Sequence, residues 1–330
     1  MKIIKLFLLF SFVLWAEYKL DIPQNIDVSQ LKNIVKNGWN DSNKTLNDLI
    51  VSNAQRVMPE IQEKIKNPFQ KTERTKENSV PVPKINLRRE DYLFIVAYTK
   101  YLEFNDNIDT SLALNINMLK GVKNIEDTSM LRVIFSLVVE QTVRAGLSQL
   151  LSTHKELKNK SLLFEQLPNL LTLDTSAFFI AMEGERDFLL NMNLYKDSKE
   201  KYLAKQVGKN YKFLMKDVQH YVELYQNDFY NKMFDAMKKE TPEAMNIYEK
   251  EMNEMKKEHM NNINSIRFFA SSLWIKIKSL LGIEIKDFGY FSQYLAYTLV
   301  YVATPKINEI YLDYLQHIQK NKLFLEKFKN

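Results

Sequence analysis

The amino-acid sequence predicts an all-α protein made of antiparallel helical hairpins, packed as a helical array or an irregular bundle. Three observations carry that expectation. The 330 residues include only 7 glycines and 8 prolines, whereas a typical chain of this length has roughly three times as many glycines; β-sheet folds need such residues at their corners. Apolar residues recur at i, i+3 and i+4 along most of the chain, the period of one helical face. No stretch alternates like a strand, and no Asn-Gly or Asp-Gly pair joins two alternating runs as a hairpin turn would; Asn37-Gly38 follows a helical pattern. Hydrophobic residues at 45% and charged residues at 26% give such helices a core to bury.

The elements follow in order. Met1–Ala16 has a positive start (Lys2, Lys5) and an apolar run from Leu6 to Leu14. That run is too short for the about 20 residues of a membrane span and fits the roughly 7–15 of a secretory signal, with cleavage expected after Ala16. Residues 17–66 form an N-terminal helical segment. Val28, Leu31, Ile34 and Val35 predict one helix stopping near Gly38, and Leu46 to Ile65 predict a second that Pro59 kinks or breaks. Residues 67–86, with Pro68, Pro81 and Pro83 and no apolar period, read as a linker and a domain boundary.

The main helical domain spans 87–330. Helices are expected over 88–104 and 107–120, with Gly121 as C-cap. Asp127 or Thr128 should cap a long apolar helix reaching about Leu151. A short helix from Ser161 ends near Pro168, and Asp174 caps the next. Aromatic-rich helices fill 199–240. Thr241-Pro242 opens another helix with Thr as N-cap and Pro at N1. An apolar stretch from Phe268 ends at Leu281-Gly282, and two helices divided by Pro305 close the chain. Residues 88–120 resemble a tetratricopeptide start: Phe94-x2-Ala97-Tyr98-x2-Tyr101, then Thr110 and Leu114. Tyr98 departs from the small residue that motif prefers, and the 34-residue shift to Thr128, Leu131, Arg132 and Phe135 keeps only part of it.

Charge excludes more than it names. The chain carries 46 basic and 40 acidic residues, a net charge of +6, with both signs interspersed rather than gathered into the basic face of a nucleic-acid binder. There is no cysteine, hence no disulfide, thiol nucleophile or zinc-thiolate site. No phosphate-cradling glycine loop, G-x-S-x-G or H-E-x-x-H occurs, and no cofactor is implied.

Four constellations remain. Tyr221, Tyr225 and Phe229 repeat every four residues and make an aromatic stripe suited to a groove. Glu183, Arg186 and Asp187 interrupt an apolar helix; Glu183 and Asp187 share a face, as a carboxylate pair for acid–base work or a partner contact would. Glu140 and Arg144, also four apart, predict a partly buried pair that fixes helix registry. Met252, Met255 and His259 fall on one helical face among six methionines between Met233 and Met260, a donor set suited to Cu(I). The 268–281 segment, with Trp274, Lys276 and Lys278, either lies on a membrane surface or is a core helix with snorkelling lysines.

The expectation is thus an exported, non-enzymatic helical protein of the periplasm or cell envelope, which binds another envelope protein or peptide through a groove between helices. The alternatives are an envelope hydrolase using Glu183 and Asp187, or a soft-metal protein using Met252, Met255 and His259. Membrane contact is expected only through an uncleaved, anchoring signal or the 268–281 helix.

Overall fold

The computed structural model describes residues 26–42, 44–70, 84–125, 129–155, 157, 164–191, 211–263, 273–278, 280–285, 288–303 and 307–329. The expected leader Met1–Ala16, most of the expected 67–86 linker, Asp127 and Thr128, Ser161, and residues 268–272 lie outside them. The protein is all-α. Its elements are α1 (Val28–Asn37), α2 (Lys44–Lys66), β1 (Phe69–Gln70), β2 (Lys84–Ile85), α3 (Arg89–Phe104), α4 (Ile108–Lys123), α5 (Met130–Thr153), α6 (Leu167–Leu170), α7 (Ser176–Asn191), α8 (Tyr211–Met237), α9 (Pro242–Ile263), α10 (273–278), α11 (Tyr290–Ala303) and α12 (Asn308–Lys329). The chain divides into two compact units, one of residues 1–181 with 313–330, the other of residues 182–312.

In the first unit, α1 starts where the Asp27 carboxylate accepts from the Ser29 backbone N–H at 2.9 Å, and stops at Gly38. A hydrogen bond from the Ser29 hydroxyl, with that from its backbone N–H, holds the Asp27 carboxyl below its ordinary range. α2 runs unbroken through Pro59. Proline removes one helical hydrogen bond, but Pro59 is exposed, so the carbonyl it strands meets water. The ends of the expected linker pair as a short antiparallel ribbon, Phe69 opposite Ile85, and the helices before and after it belong to the same unit. α3 and α4 form a helical hairpin that packs on α2 and α5. The core gathers Ile50, Ile61, Phe94, Ile95, Ile116, Val139 and Val143.

Gly121 corrects the sequence expectation. α4 continues to Lys123, so Gly121 is not its cap. A Cβ there would lie 1.8 Å from the Ile65 carbonyl oxygen; only glycine lets α4 approach the end of α2 this closely. Gly121→Ala is expected to destabilise the first unit by about 1–3 kcal/mol, the usual range for overpacking. A thermal melt followed by circular dichroism checks this, and an unchanged midpoint would refute the close approach.

α5 is capped by Ser129, whose hydroxyl accepts from the Arg132 N–H, one or two residues beyond the expected position. Asp174 accepts from the Ser176 N–H at 2.9 Å, as its place before α7 predicts. In the second unit the Thr241 hydroxyl accepts from the Ala244 N–H at 3.2 Å, opening α9. Here α8 packs along α11 and α9 over a core of Leu214, Val218, Phe229, Ile275, Ile285, Phe288, Ala296, Tyr297 and Val300.

Candidate functional site

The most concentrated polar constellation is built on Glu140, in the middle of α5 and almost fully buried. Its Oε1 accepts from the Thr172 hydroxyl at 2.6 Å. Its Oε2 accepts from the Thr172 backbone N–H at 3.0 Å and the Asn321 side-chain amide at 2.8 Å, and lies 2.9 Å from His317 Nε2. The Asn321 amide also donates to the Thr172 carbonyl at 2.9 Å. Arg144, one turn after Glu140, donates to the Asn321 side-chain Oδ1 and lies 3.5 Å from His317 Nδ1. The expected Glu140–Arg144 association is therefore relayed through α12.

Burial pushes the Glu140 carboxyl upward, but hydrogen bonds and charge from His317, together with Thr172, outweigh it and hold the group below its ordinary range. Burial lowers the Arg144 pKa against the opposing pull of Glu140. Both carboxylate oxygens accept from protein donors, and the side chain is almost fully buried. Its chemistry is that of a clamp: one carboxylate joins α5, the 171–175 turn and α12. His317 lies 177 positions from its partner, so no local spacing points to it.

A second buried pair lies in the same unit. The Lys100 ammonium donates to both Glu103 oxygens at 2.9 and 2.7 Å and to the Gly146 carbonyl at 2.5 Å. The Ser111 hydroxyl donates to Glu103 at 2.7 Å. Lys100 has no measurable exposed side-chain surface, and burial lowers its pKa against the raising effect of Glu103.

The residues singled out in the sequence lie largely in the second unit. Tyr221 and Tyr225 are half-buried and stacked, ring centroids 6.2 Å apart. Tyr225 meets Tyr297 edge-on at 5.6 Å, and Phe229 is fully buried against the same ring at 5.7 Å. A four-residue repeat drifts about 80° round a helix over eight residues, which carries the stripe from the surface at Tyr221 into the core at Phe229. Exposed Leu224 lies between the two tyrosines in sequence. Glu183 is exposed, and the Asp187 side chain lies outside the described part. The Arg186 guanidinium sits 5.9 Å from the Phe234 ring centroid, while its backbone carbonyl accepts from the Gln226 amide at 3.2 Å. Met252 and Met255 pack half-buried on the core of this unit, and the Lys232 ammonium contacts the Met255 sulfur at 3.8 Å. A cation already at that thioether opposes a metal there. The His259 side chain lies outside the described part.

No protein-family model, curated protein or solved structure matches the chain. The functional reading therefore rests on these surfaces alone. Among the described residues, no three His, Asp or Glu side chains gather in a metal-binding group, and no helix is long and apolar enough to cross a membrane.

Proposed function

We propose that this is an exported helical protein of the cell envelope that works by binding another envelope protein or peptide rather than by catalysis. The observation that carries the reading is the Tyr221–Tyr225 stack. Both half-buried rings pack on the core that holds Phe229 and Tyr297, with Tyr225 edge-on to Tyr297, and exposed Leu224 lies between them in sequence. Such aromatics offer large contact area at small entropic cost, because their side chains are ordered before a partner arrives. The buried ionic groups Glu140 and Lys100 are engaged within the fold, which supports a structural role for them.

Replacing Leu224 with a photoreactive phenylalanine analogue tests the reading. Irradiation in cells should give one discrete adduct with an envelope protein, and none from the same analogue at exposed Lys238. Adducts equally abundant at both positions, or at neither, would overturn it.

A further inference from the structure

We propose that the turn formed by residues 273–283 is a docking element for an anionic phospholipid surface. Six of the twelve exposed large apolar side chains among the described residues fall in this stretch: Leu273, Trp274, Ile277, Leu280, Leu281 and Ile283. The other six are scattered from Phe104 to Leu323, and scattered singles are ordinary surface. Leu273, Ile277, Leu280 and Leu281 stand at i, i+4, i+7 and i+8, so helical geometry places them on one side, with Trp274 beside them. Leu280 is 86% exposed and Trp274 58%.

The stretch is anchored rather than loose. Ile275 and Ile285 are both buried in the core of the second unit, and Gly282 turns the chain between them at φ +66°. Two anchors ten positions apart thus present the apolar face outward. A buried helix with snorkelling lysines, the rival sequence reading, would have these large side chains covered.

Charge and residue type select lipid over protein. Lys276 is exposed, and the Lys278 ammonium lies 5.2 Å from the Trp274 ring centroid. Residues 273–283 hold two lysines and no acidic residue, in a chain of net charge +6. Tryptophan with flanking lysine suits the headgroup boundary, where the ring is half-wet and the ammonium meets phosphate. The core of a protein–protein interface, by contrast, is depleted in lysine. With no described helix able to span a bilayer, the geometry is that of a surface-lying segment, whose affinity combines apolar insertion with electrostatic attraction. This inference stands independently of the aromatic surface on α8.

The test is co-sedimentation of the full chain with vesicles of phosphatidylcholine containing phosphatidylglycerol, against phosphatidylcholine alone. Wild type should bind the anionic vesicles and weaken as salt is raised. Leu280→Asp/Leu281→Asp should bind at least about tenfold more weakly, and Lys276→Gln/Lys278→Gln about tenfold more weakly on anionic vesicles only. All four positions are at the surface or half-buried, and circular dichroism confirms that the variants fold. Binding that survives Leu280→Asp/Leu281→Asp intact would place attachment elsewhere, such as Met1–Ala16, and overturn the proposal. So would absence of wild-type binding, or a concentration-dependent self-association that the same double substitution abolishes, since a second copy would then cover the face.

Discussion

Replacing Glu140 with alanine should destabilise the first unit by on the order of 3–5 kcal/mol, the range for breaking a buried charged network by removing one partner. The loss has a specific composition. The Thr172 N–H and hydroxyl, the Asn321 amide and the His317 ring nitrogen all lose their acceptor, and an unsatisfied buried polar group costs about 1–3 kcal/mol. Glu140→Gln keeps the volume but brings an NH2 group against a ring of donors, so it should fall between wild type and alanine. Urea unfolding followed by tryptophan fluorescence in a Trp15→Phe/Trp274→Phe background reads this unit, because Trp39 then remains and packs on Tyr101 at 5.1 Å. The pH dependence gives a second readout. The folded carboxyl titrates below its reference value of 4.5, so its contribution is fully present above that pH and is lost as pH falls through the lower, folded value. Wild type should therefore weaken in acid more steeply than Glu140→Gln. Parallel acid profiles, or a destabilisation of alanine below about 1 kcal/mol, would mean that the clamp is not what holds α12 to α5.

Why this clamp was only half legible is a matter of range. Its α5 side could be read because Glu140 and Arg144 are charges inside an apolar helix, and local sequence reports such conflicts. The α12 side was hidden. His317 and Asn321 continue the buried face of Tyr311, Tyr314 and Phe324 at helical spacing, so polar residues at core positions were the available signal, yet nothing local names their partner. Helix starts at Asp174 and Thr241 were readable because capping is chemistry between residues two or three apart. Gly121 was misread for the converse reason: a glycine near a helix end looks the same whether it ends the helix or admits Ile65. The aromatic stripe was correctly assigned to one helix, but its drift into the core depends on where Tyr297 lies, which no period in α8 encodes. Exposure of Leu280 and Leu281 is likewise a tertiary fact. The segment 273–283 is apolar on both sides, and sequence alone cannot choose the side that meets the core.

Lys100→Met should likewise destabilise the first unit by about 3–5 kcal/mol, because Glu103 would remain a nearly buried carboxylate without its cation. The informative comparison is the double variant Lys100→Met/Glu103→Leu. Taking both charges out of water is itself costly, and apolar replacement of a whole buried pair is often neutral or better. Here both members of the pair are buried, so desolvation opposes their attraction. The double variant should thus recover much of the loss, but not all of it. The Ser111 hydroxyl would lose its acceptor, at about 1–3 kcal/mol for a buried group left unsatisfied, and the Gly146 carbonyl would keep only its helical partner. A double-mutant cycle in urea measures the coupling directly. If the two single losses simply add in the double variant, the pair is not coupled, and the junction of α3, α4 and α5 would owe its position to the apolar core around Val96, Val139 and Val143. Strong coupling with incomplete recovery would instead make Lys100 a registry device: it costs stability as a charge, and it fixes which turn of α5 faces α3 by reaching one particular carbonyl.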